Sequence, residues 1–152
     1  MSTNNLKIAQ LEAKLKPFNS LQHLPKPEIG WLKIIRISLG ISLTQLGEKL
    51  GITKQSALDL EKREVDESIS LKRLREAAQA LDMEFVYGLV PKDGSLDQLI
   101  DRKAEALAKK IVMRTARNME LENQGNSKAS IQKAIEDRKQ RLKFELNKKL
   151  WE

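Results

Sequence analysis

Apolar residues recur along this chain in short helical bursts, each bounded by capping or turn residues. Leu11, Leu15 and Phe18 fall at i, i+4 and i+7, one helical face, which Pro17 limits in length. The run His23-Leu24-Pro25-Lys26-Pro27 reads as a stiff connector, because proline restricts itself and the residue before it. Pro27 also suits the first turn of the next helix. Trp31, Ile34, Ile35 and Leu39 then form an apolar helical face that stops at Gly40. Ser42 caps a helix carrying Leu43, Leu46 and Leu50, which Gly51 closes. Thr53 caps the next, with Ala57 and Leu60 facing inward. After the polar stretch 64–68, Ser70 opens a helix that buries Leu71, Leu74, Ala78 and Leu81.

Residues 83–90 change character. Phe85, Val86, Tyr87, Leu89 and Val90 are aromatic, β-branched or aliphatic, and Asp82 and Pro91-Lys-Asp-Gly94 bound them. This predicts a short strand with no partner in its own chain. Two copies pairing across a two-fold axis would satisfy both edges, so the chain is expected to be a homodimer joined through Phe85, Val86, Tyr87 and Leu89. Ser95 caps a long helix through Leu96, Leu99, Ala104, Leu107 and Ile111 towards Met119. The stretch 124–127 breaks it, and Ser130 starts a last helix with Ile131, Ile135, Leu142, Leu146 and Leu150 on one broad face. The fold class expected is mainly α with one short strand. The expected divisions are an N-terminal helical arm over 1–26, a central domain over 27–90 and a basic helical region over 91–152.

Composition narrows the chemistry. The chain has 152 residues, no cysteine and one histidine. Disulfides, thiolate metal sites, histidine clusters and catalytic triads are therefore excluded, and a reducing cytoplasm is the expected location. No metal, cofactor or enzymatic activity is expected, since no phosphate-cradling glycine loop or nucleophile–base pair is present. No apolar run reaches membrane-spanning length, so no membrane partner is expected. The net charge of +7 suits a polyanionic partner. It is unevenly spread: residues 28–90 carry 9 basic and 10 acidic side chains, whereas 101–152 carry 14 and 8. The basic flanks are expected to supply the phosphate contacts that a near-neutral central domain lacks.

The stretch from Ser42 to Glu61 has the anatomy of a helix-turn-helix. Gly47 sits inside the first helix, where glycine is intrinsically unfavourable but permits close approach of a second helix. Gly51 can take the positive φ that ends that helix, and Ile52 plugs the turn. Thr53, itself a candidate DNA contact, then starts a second helix that turns Lys54, Gln55, Ser56 and Asp59 outward. Such a helix lies in the major groove of double-stranded DNA and reads base edges from its N-terminal end. Gln55 can pair with adenine, Lys54 can donate to guanine, Ser56 can do either and Asp59 can accept from cytosine. Thr44 and Gln45 are candidate phosphate contacts in the first turn of the preceding helix, and Lys62 and Arg63 at the far end.

Gly40-Ile-Ser, Leu46-Gly47, Gly51-Ile-Thr and Leu60-Glu61 resemble the Cro and phage-repressor (Xre-like, lambda-repressor-like) class of helix-turn-helix domains. In that class a glutamine often opens both helices of the motif; here Leu43 and Lys54 stand in those places. The resemblance implies a structural role for Glu61. Gly30-Trp31, Arg36, Leu60-Glu-Lys-Arg-Glu64, Leu71-Lys-Arg-Leu-Arg-Glu-Ala-Ala78, Val86-Tyr87, Leu89-Val-Pro91 and Leu150-Trp151 are further similar to the family called mobile mystery protein A. That likeness implies a neighbour-encoded Fic-domain partner, and hence an antitoxin that represses its own operon. The alternative is a protein-level inhibitor of a Fic-domain AMP-transferase, with DNA binding secondary. The pattern of Fic-inhibiting helices is met by Asn118-Met-Glu-Leu-Glu122-Asn123, with Asn118 in place of a hydroxyl residue. Glu122 would there occupy an arginine that positions the ATP γ-phosphate.

Overall fold

The computed structural model describes residues 3–121 and 127–152. Among them are seven α-helices: α1 (Thr3–Leu15), α2 (Trp31–Ser38), α3 (Leu43–Leu50), α4 (Lys54–Val65), α5 (Leu71–Ala80), α6 (Leu96–Leu121) and α7 (Lys128–Glu145). Two 3-10 helices, η1 (Lys16–Leu21) and η2 (Lys148–Trp151), complete the set. The chain divides into two compact units. One is His23–Tyr87; the other joins Met1–Gln22 to Gly88–Glu152.

The first unit holds α2 to α5 around a core of Leu32, Leu46, Ala57, Leu60, Ala77 and Leu81. Ser42, Thr53 and Ser70 cap α3, α4 and α5, each accepting from the backbone N–H three residues on. These caps satisfy amides that have no partner within the helix, which is why each helix starts where it does. Two of the expected inward faces differ. In α2 the buried side chains are Leu32 and Arg36, and Ile35 packs against the core, while Trp31, Ile34 and Leu39 are exposed. Two rows of apolar residues run along this helix, so periodicity alone does not choose between them. In α5, Leu71 is exposed, and Ala77, Ala78 and Leu81 carry the burial. Helix α2 begins at Trp31, not at Pro27, whose carbonyl instead closes a turn with the Gly30 N–H.

No strand is present among the described residues, so the one expected over 85–90 is not formed within the chain. A strand exists by virtue of a hydrogen-bonded ladder, and among the described residues no segment pairs with residues 85–90. Phe85 and Tyr87 stack on each other at 5.7 Å, and Arg75 lies over the Phe85 ring.

In the second unit α6 and α7 pack around Ile100, Ala104, Ala108, Ile135, Leu142 and Leu150, with Ile8 of α1 against them. Alanines at 104 and 108 allow the helices to approach closely. Of the expected face Leu11–Leu15–Phe18, Leu11 is exposed, while Leu15 and Phe18 are half-buried. Pro17 ends the regular helix as expected, but the chain goes on as a 3-10 turn. Glu12 reaches the start of α6, where its carboxylate accepts from the Leu96 N–H at 2.9 and 3.0 Å. Negative charge at a helix N-terminus is favourable there. Helix α7 is capped by Ser127 rather than Ser130 and ends at Glu145, with Leu146 left-handed at φ 47°. Leu150 therefore enters the core from η2 and not from the last helix. The ammonium of Lys143, 2.9 Å from Asp101, holds that carboxyl below the usual carboxylate range.

Candidate nucleic-acid interface

Helices α3 and α4 are joined by the three residues 51–53. Gly51 is left-handed at φ 68° and ψ 31°, and its N–H closes onto the end of α3. A side chain at Gly47 would put its first carbon 2.8 Å from the Ile52 carbonyl oxygen. That atom is backbone and cannot swing aside, so the turn lies directly against α3 and only glycine fits. Ile52 is partly buried against the core, which plugs the turn from inside.

Helix α4 has a buried side and an exposed side, with Leu58 half-buried. Ala57, Leu60, Glu61 and Glu64 are buried. Lys54, Gln55, Ser56, Asp59, Lys62 and Arg63 are all exposed, together with Thr44 and Gln45 on α3. Several of these polar groups already have work within the chain. Gln45 completes a capping box: its Oε1 accepts from the Ser42 N–H at 2.8 Å, while its own N–H donates to Ser42 Oγ at 3.0 Å. The Gln45 amide nitrogen keeps its donors. Thr53 Oγ1 accepts from the Ser56 N–H at 3.0 Å and lies 3.0 Å from Ser56 Oγ. Gln55 Nε2 donates to Asp59 Oδ1 at 3.2 Å, one turn further along.

The expected structural role of Glu61 has a visible cause. Its carboxylate takes three hydrogen bonds of 2.9–3.1 Å from Arg36 of α2, in a place where both side chains are almost fully buried. The remaining Arg36 nitrogen, Nη1, donates to the Ile41 carbonyl at 3.0 Å. Glu64 is likewise not part of a polar surface stretch. It accepts at 2.8 Å from both the Trp31 and the Leu32 N–H, capping α2 from a helix more than thirty residues later. Gly30, at the cap position itself, has no side chain to do this. The two carboxylates bind α4 to α2, and so hold the exposed face of α4 in a fixed orientation.

Residues 32–87 match the helix-turn-helix family model. They are a helix-turn-helix domain. Its boundaries enclose the capped pair α3–α4 and the two helices packed on it, the arrangement carried by DNA-binding transcription regulators. No curated protein and no solved structure matches the chain.

The exposed face of the second motif helix thus holds Lys54, Gln55, Ser56 and Asp59 together. Of the other expected residues, Asn118 is exposed on α6, whereas Glu122 and Asn123 lie outside the described residues. No described helix is long and apolar enough to cross a membrane. Arg36, Glu64 and Glu12 have structural roles that no local pattern announces, because each acts on a partner distant in sequence.

Proposed function

We propose that the chain is a sequence-specific transcriptional repressor that binds its operator as a homodimer and reads bases through the N-terminal half of α4. The observation that carries this is the exposure of Lys54, Gln55, Ser56 and Asp59 together at the start of the second motif helix. The hydrogen bond to Asp59 holds the Gln55 amide by one N–H and leaves its other N–H and its oxygen for an adenine edge. Thr44, the free donors of Gln45, and Lys62 and Arg63 supply phosphate contacts that fix the register. Gln55→Ala is expected to weaken binding to the preferred site by about 1–3 kcal/mol and to relax one base position. Binding selections on both proteins read this out, and identical preferences would move the reading surface elsewhere.

The dimer rests on residues 85–89. Val86, Tyr87 and Leu89 are 67%, 61% and 79% exposed. The backbone of residues 84–90 makes no backbone hydrogen bond among the described residues. A second copy pairing in antiparallel register would cover these side chains and satisfy those groups. Val86→Pro removes one donor from that ladder and is expected to shift the protein towards monomer and weaken operator binding. An unchanged dimer in sedimentation sinks this mode of pairing.

The likeness to mobile mystery protein A supports an operon context in which the repressor is also the antitoxin of a Fic-domain partner. The deciding observation is the neighbouring open reading frame. One without a Fic signature removes this part of the reading, and with it the role of Asn118, Glu122 and Asn123.

A further inference from the structure

Helix α6 separates its charges. Asp97, Asp101 and Glu105 recur every fourth residue, and α7 or α6 itself meets each of them. Lys143 Nζ lies 2.9 Å from Asp101 and 3.8 Å from Asp97, and Lys139 Nζ lies 3.5 Å from Asp101. Glu105 pairs with Lys109 at 3.4 Å. The basic residues Lys103, Lys110, Arg114 and Arg117 follow a different spacing, of seven, four and three. That spacing places them on one stripe of the helix, about 21 Å long at a rise of about 1.5 Å per residue.

None of the four has a carboxylate within 4.0 Å among the described residues. Lys103, Lys110 and Arg114 line a 440 Å³ cleft together with Lys149 of η2; Glu152 is the one acidic residue on its wall. Asp93 is held by Arg102 at 2.7 Å and feels Lys103 only as a weaker charge through space. A face that merely keeps a helix in water mixes both signs at i, i+4, as Glu105–Lys109 does here. Lys110 and Arg114 are instead like charges at that spacing, which weakens a helix unless an anion sits between them.

We propose that this stripe is a second, sequence-independent contact for duplex DNA, which holds phosphates while α4 reads bases. The inference rests on the DNA-binding reading above and explains how a domain with slightly more acidic than basic residues would bind a polyanion. Affinity for the DNA backbone scales with the number of phosphates neutralised, and each such contact makes binding more sensitive to salt.

The test uses the full chain and a short duplex of scrambled sequence, titrated over a series of salt concentrations. Three proteins are compared: the wild type, Lys103→Gln/Lys110→Gln/Arg114→Gln, and Lys128→Gln/Lys133→Gln/Arg138→Gln. The last removes the same charge from exposed positions on α7. The slope of log affinity against log salt is expected to fall in magnitude by about 2–3 for the α6 variant, close to 0.9 per lost phosphate contact. The α7 variant should change it by less than about 1. Base preferences in a binding selection should stay those of the wild type in the α6 variant, and circular dichroism should show undiminished helix. An unchanged slope in the α6 variant overturns the inference, and so do equal changes in both variants, which would make net charge the cause. Absence of wild-type binding to any duplex would overturn the DNA-binding reading itself.

Discussion

Glu61→Ala is expected to destabilise the helix-turn-helix domain by about 3–5 kcal/mol, because it leaves the Arg36 guanidinium buried without its counter-charge. Three of the four Arg36 hydrogen bonds end on this carboxylate, and the guanidinium has little access to water. The loss should appear as faster amide exchange throughout α2 and α4 in the intact chain, with α6 and α7 unaffected. The double replacement Arg36→Met/Glu61→Leu should recover much of that loss. Buried ion pairs are costly to break from one side but are often replaceable by packed apolar groups. A single-mutant effect below about 1 kcal/mol would mean that Arg36 escapes to solvent when freed, as a surface pair would.

The second large effect is expected at Glu64. Glu64→Ala removes two charge-assisted hydrogen bonds of 2.8 Å from the first turn of α2. At about 1.5 kcal/mol or more for each bond, the cost is about 3 kcal/mol. Glu64→Gln keeps one acceptor and no charge, and should lose about half as much. The diagnostic amides are those of Trp31 and Leu32, which should lose protection first. Glu48→Ala, an exposed change on α3, serves as control and should leave them untouched. Equal behaviour of the Glu64 and Glu48 variants would show that α2 is held by core packing alone. Both Glu61 and Glu64 bear on the proposed function, because α2 is the element against which α4, the proposed reading helix, is braced.

Much of the motif was legible residue by residue. Ser42, Thr53 and Ser70 mark helix starts because a side-chain oxygen beside free backbone N–H groups acts within three or four residues. Gly47 was legible for a similar reason, since a glycine in mid-helix is unfavourable unless space requires it, and here a carbonyl fills that space. The outward positions of Lys54, Gln55, Ser56 and Asp59 follow from the helical period once Ala57 and Leu60 face in.

Elsewhere the same signals were ambiguous. Helix α2 carries apolar residues on more than one side, and only the position of its neighbours exposes Trp31 and buries Leu32. Residues 85–90 have strand-like composition, but a ladder needs a second strand, and none is present among the described residues. The α7 stripe looked continuous to Leu150, yet a left-handed Leu146 ends the helix and leaves Leu150 to enter from η2.

The sequence by itself determined the α3–turn–α4 unit and the residues it turns to solvent, because caps, glycine turns and helical periodicity act over one or two turns of chain. Only the tertiary structure decided which acidic side chains are buried. Glu64 reads as the start of a polar run and Glu61 is given a structural role only by resemblance; both are internal because Arg36 and the open end of α2, 25 and 33 residues away, meet them there. The stripe on α6, by contrast, follows from helical spacing, which sets Lys103, Lys110, Arg114 and Arg117 on the side away from Asp97 and Asp101. The tertiary structure adds that Lys139 and Lys143 of α7 pair with those aspartates.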